Sequence, residues 1–194
     1  MKRLTKVSLI VTLFFSIIDN IYALNNDDLI NKSTNINIEK YPDADAVLMQ
    51  DDTTVIYQLD GTSKTHTSSA IKILTEKGKR VNRILSLSFN ISYGTNYFTK
   101  VNRITSKGKI IPIDISANSR LMVNPSQMNA NIYNPNSKVL RLSVPGLQIG
   151  DILTFSSCDI VTKPVVPNTW SDYQVFEADF PIISASYTID APKE

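Results

Sequence analysis

Short segments in which apolar and polar side chains alternate follow one another along most of the chain. Residues 53–59 alternate in this way, and the Asp60-Gly61 dipeptide after them is typical of a hairpin turn that leads into a second strand at 65–74. The same reasoning predicts further strands at 84–94, 97–105, 138–144, 151–161, 172–180 and 182–189. Beyond the N-terminal stretch, no window of about 11 residues has a helical period. Many short strands separated by turns predict an all-β protein folded as a sandwich.

Three features interrupt this pattern. Pro112 lies in a short apolar segment, and because proline cannot donate to a hydrogen-bond ladder, it predicts a strand at a sheet edge. The charged, glycine-containing sequences at 76–79 and 106–109 predict turns. Residues 117–138 contain many asparagines and no period of either kind, so we expect a long loop there, of the sort that is functional or mobile.

The first residues have the composition of a secretory signal peptide. A positively charged start precedes 12 mostly apolar residues at 7–18, and the stretch ends at the small residue Ala23. A helix that crosses a bilayer needs about 20 residues, so this run is too short to be one. We therefore expect cleavage after residues 1–23 and export to the periplasm, the cell envelope or the medium, with no transmembrane segment in the mature chain. An uncleaved anchor and a buried strand are the alternatives.

The rest of the chain divides into a leader and one domain. Residues 24–40 are rich in Asn and Asp and have no sustained period, which predicts a flexible leader. Residues 41–194 carry all the predicted strands and form a single domain, which is an ordinary size for one hydrophobic core.

Charge gives little reason to expect a polyanionic partner. Without residues 1–23, the chain has 17 basic and 17 acidic side chains, so the simplest argument for nucleic-acid binding disappears. The charges are nevertheless uneven, because residues 24–63 are acidic, 64–141 basic and 142–194 acidic. Pairing of these segments within one sheet is the favoured explanation, and a basic face for an anionic polymer is the alternative.

The residues that usually carry catalysis are scarce. Cys158 and His66 are the only residues of their kinds, and a zinc site needs three or four ligands. Cys158 lies in a predicted strand, where alternation puts it on one face with Ser156 and Ile160, so a small buried side chain is the favoured interpretation. We expect no enzymatic activity, no metal and no cofactor. A cysteine peptidase or transglutaminase would require Cys158 beside His66 in a cleft with a third, orienting group.

An aromatic cluster is the remaining candidate site. Trp170, Tyr173 and Phe176 lie close together in sequence, and flat rings stack on the apolar faces of sugars. Trp170 and Tyr173 are therefore candidate ligand contacts, although a sandwich core also needs large side chains. Burial decides between the two, since a glycan-binding domain exposes these rings and a scaffold buries them.

Five ordered segments resemble a known family. They are YPDADAVLMQDDTTV (41–55), IKILTEKGK (71–79), GKIIPID (108–114), VPGLQIGDIL (144–153) and FPIISASYTIDAPK (180–193). Together they are similar to the exported bacterial domain of unknown function 3857 (DUF3857). This resemblance implies an immunoglobulin-like β-sandwich that usually precedes a transglutaminase-like domain, which holds the catalytic Cys, His and Asp. It supplies no catalytic residue for the present chain.

These observations favour a non-catalytic interaction or scaffold module of an exported envelope protein. A transglutaminase-like domain or protein is the partner that the resemblance implies, and an envelope glycan is the ligand that the aromatic cluster implies. Two alternatives stay open: a glycan-binding β-sandwich, and a fragment of a transglutaminase-like or cysteine peptidase protein whose catalytic domain is missing.

Overall fold

A computed structural model describes residues 24–130 and 133–193. The predicted signal peptide, residues 1–23, lies outside them. The strands are β1 (Ala46–Tyr57), β2 (Ser63–Ile73), β3 (Ile84–Asn90), β4 (Gly94–Ile104), β5 (Ile110–Pro112), β6 (Ser119–Val123), β7 (Ser137–Ser143), β8 (Ile152–Val161) and β9 (Ala185–Asp190). The helices are α1 (Asn26–Ser33), α2 (Glu76–Asn82), α3 (Ile115–Asn118) and a 3₁₀ helix at Pro125–Ala130. In the part of the chain that the structure describes, no helix is long and apolar enough to span a membrane.

The strands form two sheets. A six-stranded sheet has the order β5-β4-β8-β2-β1-β9, and a three-stranded sheet has the order β3-β7-β6. Neighbouring strands are antiparallel except β1 and β9, which run parallel. The predicted hairpin at Asp60 and Gly61 joins β1 and β2, and Pro112 ends β5 at one edge of the large sheet, as predicted. The all-β sandwich predicted from the sequence is confirmed.

Apolar side chains cover both faces of the six-stranded sheet. Its inner face packs against the three-stranded sheet, with Ile71 and Leu153 of the large sheet and Leu142 of the small one in a single cluster. Its outer face carries a second cluster, in which Ala70 and Ile152 lie under helix α1. Neighbouring residues of β2 therefore belong to different cores, because successive side chains of a strand point to opposite faces.

Residues 24–40 differ from the predicted flexible leader. They contain α1, whose Leu29 is fully buried, and Ile36 beyond the helix is 4% exposed. The side chain of Asn25 caps the helix by accepting hydrogen bonds from the backbone N–H groups of Asp27 and Asp28 at 3.1 and 3.2 Å. A helix of eight residues is too short to show a period in a sequence window, so only its packing on the sheet distinguishes it from a loop.

Two other segments gain structure that the sequence did not predict. Residues 76–79, predicted as a turn, begin α2, and the Thr75 hydroxyl accepts a hydrogen bond from the backbone N–H of Gly78 at 3.1 Å. The predicted loop 117–138 holds β6 and the 3₁₀ helix, and β7 begins within it. Strand β6 pairs with β7, so it owes its conformation to a neighbour in the sheet and not to a pattern of its own.

The predicted strand at 172–180 is wrong. This stretch has no regular secondary structure and makes no sheet pairing with the described part of the chain. The prediction at 182–189 is partly confirmed, because Ile182 forms an isolated bridge with Leu48 and β9 begins at Ala185. Alternation in sequence indicates a chain that can form a strand, but a strand also needs a partner for its backbone.

The turn before β8 is held by a buried carboxylate. Asp151 is 2% exposed and accepts hydrogen bonds from the backbone N–H groups of Gln148 at 2.9 Å and Ser106 at 3.2 Å. Arg103 lies 3.4 Å from the same carboxylate and donates to the carbonyl of Gly146. The sequence VPGLQIGDIL thus joins β4, the turn after it and the start of β8, which makes it a structural motif.

Ion pairs connect the acidic and basic thirds of the chain. Lys77 lies 2.6 Å from Asp45, and Arg103 pairs with Asp151. Each pair joins the basic middle to one of the acidic ends. These contacts support the expectation that the segments neutralise each other within the fold.

Candidate functional site

The chain between β8 and β9 forms an exposed segment, residues 163–180, which crosses the turn of the β1–β2 hairpin. The backbone N–H of Asn168 donates to the carbonyl of Asp60 at 3.2 Å. Next to it, Gly61 has a φ of +87°, and a Cβ at this position would lie 2.8 Å from the carbonyl oxygen of Thr169. Glycine therefore serves both the turn and the close approach of the segment.

Trp170 fixes the middle of this segment to β1. Its ring centroid lies 5.3 Å from that of Tyr57, at an interplanar angle of 38°, and the indole is half-buried. Aromatic pairs in such tilted arrangements contribute about 0.5–1.5 kcal/mol beyond their burial. Trp170 thus packs against the domain with part of its surface and does not form an open platform.

A cluster of polar side chains follows Trp170. Asp172 accepts a hydrogen bond from the hydroxyl of Tyr187 in β9, and burial together with this bond raises the pKa of Tyr187 to about 12. Burial also raises the pKa of Asp159 in β8, and the negative charge of Asp172 raises it further. A hydrogen bond of 3.1 Å from the side-chain amide of Asn96 acts in the opposite direction and lowers it. The hydrogen bond from Tyr187 therefore holds the segment to β9, whereas Asp172 and Asp159 of β8 repel each other as like charges.

After Asp172, the side chains up to residue 179 are exposed to solvent. Tyr173 is 84% exposed and Phe176 58% exposed, and the backbone of 173–179 makes no hydrogen bond with a strand or loop of the described residues. Phe180 then returns to the core between the sheets, and the carbonyl of Pro181 accepts from the N–H of Leu48 at 2.9 Å. A stretch in which exposed apolar side chains are interspersed with exposed acidic ones, Glu177 and Asp179, thus lies between two fixed ends.

The two candidate ligand contacts therefore have different surroundings. Trp170 stacks on Tyr57, and Tyr173 extends into solvent. Sequence reasoning found both residues but missed Tyr57 and Tyr187, which hold the segment. Tyr57 could not be found from a local pattern, because more than 100 positions separate it from Trp170. Tyr187 is 15 positions from Asp172, and no sequence signal marks that pairing.

The structure also brings Cys158 and His66 together. They are register partners on the antiparallel strands β8 and β2, and Tyr97 of β4 is the partner of Cys158 on its other side. Cross-strand partners share one face of a sheet, here the outer face, where the Ser68 and Ser156 hydroxyls lie 2.8 Å apart. Cys158 is fully buried and His66 is 8% exposed. The thiol and imidazole are therefore neighbours within a packed layer and do not line an open cleft.

The described part of the chain is a β-sandwich. Its most exposed aromatic ring, Tyr173, lies in the loop before β9. A family model, described as a domain of unknown function with solved structure (DUF3857), matches residues 59–194. The chain belongs to this family. The first of the five segments noted in the sequence, residues 41–55, precedes the matched region, although it supplies much of β1.

Several solved structures are similar to this chain at low sequence identity, and for one of them the TM-score exceeds 0.5. A putative protease from Parabacteroides distasonis is 13% identical with a TM-score of 0.55, and the likeness covers 61% of this chain but 23% of that protein. The CBM3a-L domain from a scaffoldin of the Clostridium thermocellum cellulosome is 11% identical, with a TM-score of 0.35 over 69% of this chain and 79% of that one. An M1 zinc metallopeptidase from Deinococcus radiodurans is 8% identical, with a TM-score of 0.29 over 60% of this chain and 20% of that one. No curated protein matches the sequence.

Proposed function

We propose that this chain is a non-catalytic interaction module of an exported protein and that residues 172–180 are its contact surface. The observation that carries the proposal is the exposure of Tyr173 and Phe176 between two anchored ends. Ordered apolar side chains that a domain does not bury are typical of surfaces that a partner covers.

The conformation of this stretch supports the same function. Tyr173, Val175 and Phe176 have side chains that favour strands, and the backbone of 173–179 makes no backbone–backbone hydrogen bond with the described residues, so most of its N–H and C=O groups lack a backbone partner there. The exceptions are bonds to side chains, in which the N–H of Tyr173 donates to Asp172 and the carbonyl of Val175 accepts from Gln174. A partner that adds a strand here satisfies the remaining groups and buries the rings together. The anchors at Trp170 and Phe180 reduce the conformational entropy that such docking costs.

The family context favours a partner domain of an exported protein. In the putative protease from Parabacteroides distasonis, the shared fold occupies only 23% of the chain, so a fold of this kind is part of a larger protein there. The sequence resemblance implies a transglutaminase-like partner. We propose such a domain or protein as the occupant of the 172–180 surface, in the periplasm or cell envelope.

A non-catalytic role agrees with the surroundings of the one thiol. Catalysis by cysteine needs a thiolate that substrate can reach. Cys158 is fully buried in the outer face, although His66 lies opposite it. We propose that the pair stabilises the sheet.

Photocrosslinking in the native host tests the contact surface. A photoreactive phenylalanine analogue replaces Tyr173, and the same analogue replaces Tyr133, a tyrosine that is also well exposed at 75%. We expect the analogue at 173 to form an adduct with a transglutaminase-like domain, identified by mass spectrometry, and the analogue at 133 to form none. Equal adducts at both positions, or none at 173, would contradict the proposal.

Glycan binding is the second candidate function. It requires exposed rings, which Tyr173 and Phe176 supply, whereas the scaffold expected from the sequence buries them. Trp170, half-buried against Tyr57, is the ring that favours an interaction module. The test is affinity electrophoresis in gels that contain peptidoglycan fragments or soluble polysaccharides. Retardation that Tyr173→Ala and Phe176→Ala abolish, and Tyr133→Ala leaves unchanged, would favour a glycan over a protein partner.

A further inference from the structure

A cavity of about 540 Å³ opens on the outer face of the six-stranded sheet, at the end away from the hairpin turn. Its walls come from α1 and the chain after it, from the β4–β5 turn at Ser106–Gly108, and from the turn at Ile149 and Gly150. This volume lies within the range of cavities that hold small molecules, about 300–1,000 Å³. No part of the proposed contact surface at 172–180 lines it.

A buried ammonium group belongs to this cavity. Lys72 of β2 is 9% exposed, and its Nζ donates to the carbonyl of Gly150 at 2.6 Å, which is its one hydrogen bond to the described residues. An ammonium has three donor hydrogens, so two remain for another acceptor. Burial lowers the pKa of Lys72, and the charge of Asp151 opposes this effect.

The charges of the lining are one-sided. Lys72 and Lys107 are its charged residues, and no Asp or Glu lines the cavity among the described residues. Asp151 is the nearby carboxylate that favours the charged form of Lys72, but Arg103 and the N–H groups of the turn already occupy its oxygens. The cavity therefore has a positive charge that the fold only partly balances.

The remaining walls are largely apolar. Ile36 and Ile152 lie at its base with exposed fractions of 4% and 2%, and Ile38 and Ile149 form its rim, each 45% exposed. A ligand that suits both parts has a compact anionic head and an apolar tail. A carboxylate satisfies the free donors of Lys72, and a hydrocarbon chain covers the isoleucines.

We propose that this cavity binds a medium-chain carboxylate, with its head on Lys72 and its tail along the isoleucine walls. Lys107, at the mouth, attracts the anion but is not needed to hold it. The apolar walls exclude water from the ion pair, so Lys72 contributes more to affinity than a surface lysine does. This binding site is independent of the 172–180 surface.

Isothermal titration of the purified protein with decanoate tests the proposal, with acetate and decanol as probes of the tail and head alone. We expect decanoate to bind at least tenfold more tightly than either. Lys72→Met keeps the length of the side chain and removes its charge, and it should weaken decanoate binding at least tenfold. Lys109→Met, a change in the same β4–β5 turn outside the cavity lining, should leave binding unchanged.

A second variant separates loss of binding from loss of folding. Ile149→Trp fills the rim at a position that is already half exposed, and it should block decanoate while Lys72 stays in place. Equal binding by the wild type and Lys72→Met, or by decanoate and decanol, would overturn the proposal. Tighter binding of N-acetyl-valyl-isoleucine than of decanoate would replace the fatty carboxylate with a peptide C-terminus and equally overturn it.

Discussion

The two connections that flank β8 differ in how they are held. The turn before it has Asp151 at its centre, buried and bonded to two backbone N–H groups and one arginine. The segment after it, residues 163–180, is held at Asn168, Trp170 and Asp172 and then exposes its apolar side chains. The turn before β8 has its polar groups hydrogen-bonded within the fold. The segment after β8 leaves apolar side chains and several backbone groups exposed to solvent.

This difference separates structure from function within one family domain. A buried carboxylate that joins strand β4 to two turns stabilises the sandwich whatever the protein does, so VPGLQIGDIL is a property of the fold. An exposed segment that is fixed only at its ends adds little to stability, and we propose that its exposed side chains serve binding. Substitutions in the two regions should therefore affect different measurements.

Asp151→Ala should have the largest effect. Removing this carboxylate leaves Arg103 without its buried partner and two N–H groups without an acceptor, a change that typically costs about 3–5 kcal/mol. We expect urea denaturation to show a loss of about 3 kcal/mol or more. Asp114→Ala, which removes an exposed cap of α3, is the control and should cost much less. A loss at position 151 no larger than the control would show that the turn does not hold the fold.

Trp170→Ala should release the exposed segment with a smaller loss of stability. Its half-buried ring and the stacking on Tyr57 are worth roughly 1–2 kcal/mol together. Limited proteolysis should cut within 164–180 much faster in this variant than in the wild type. Tyr173→Ala, a change in the same segment at an 84% exposed ring, should alter neither quantity. Slower cleavage at 164–180 than at 117–138 in the variant would count against the anchoring role of Trp170.

Cys158→Ala should have a modest effect, about 1 kcal/mol, because it removes a single buried atom. In the wild type, a thiol-directed electrophile should label Cys158 slowly at neutral pH and rapidly in urea. His66→Gln is the matched probe of the neighbouring imidazole and should leave the labelling rate unchanged. If the folded wild type is labelled rapidly and His66→Gln abolishes that labelling, the thiol is activated and the cysteine enzyme hypothesis is supported.

Asp159→Asn should have the smallest effect, and only at certain pH values. Because the pKa of Asp159 is raised in the folded protein above its ordinary value of 3.8, the ionised carboxylate lowers stability at neutral pH. As the pH falls through the folded pKa towards 3.8, the folded protein gains a proton before the unfolded chain does, and the cost disappears. The variant should exceed the wild type by less than about 1 kcal/mol at pH 7 and match it near pH 3.5. A constant difference across this range would exclude titration of Asp159 as its cause.

Local pattern located most of the strands of the large sheet and two of its turns. The hairpin at Asp60 and Gly61 and the edge position of Pro112 followed from residue chemistry alone. The face assigned to Cys158 was also correct, since the period of two fixes which residues share a side. Helix α1 and strand β6 were missed because packing and pairing, not periodicity, determine them.

The candidate site shows that a strand-like sequence does not reveal which of its side chains become buried. Residues 172–180 have the sequence of a strand, and the sequence placed Trp170 and Tyr173 in one cluster, yet only the tertiary structure decided that one ring stacks on Tyr57 while the other is exposed.

The sequence by itself determined the all-β class, the main turns and the face on which each strand residue lies, because these depend on side-chain period and turn chemistry within a few residues. The tertiary structure alone decided that Cys158 lies opposite His66, that Lys72 borders a cavity beneath α1, and that 172–180 pairs with no strand among residues 24–130 and 133–193. Those outcomes depend on which distant segments become neighbours, and a pairing of that kind is settled by the packing of the whole sandwich.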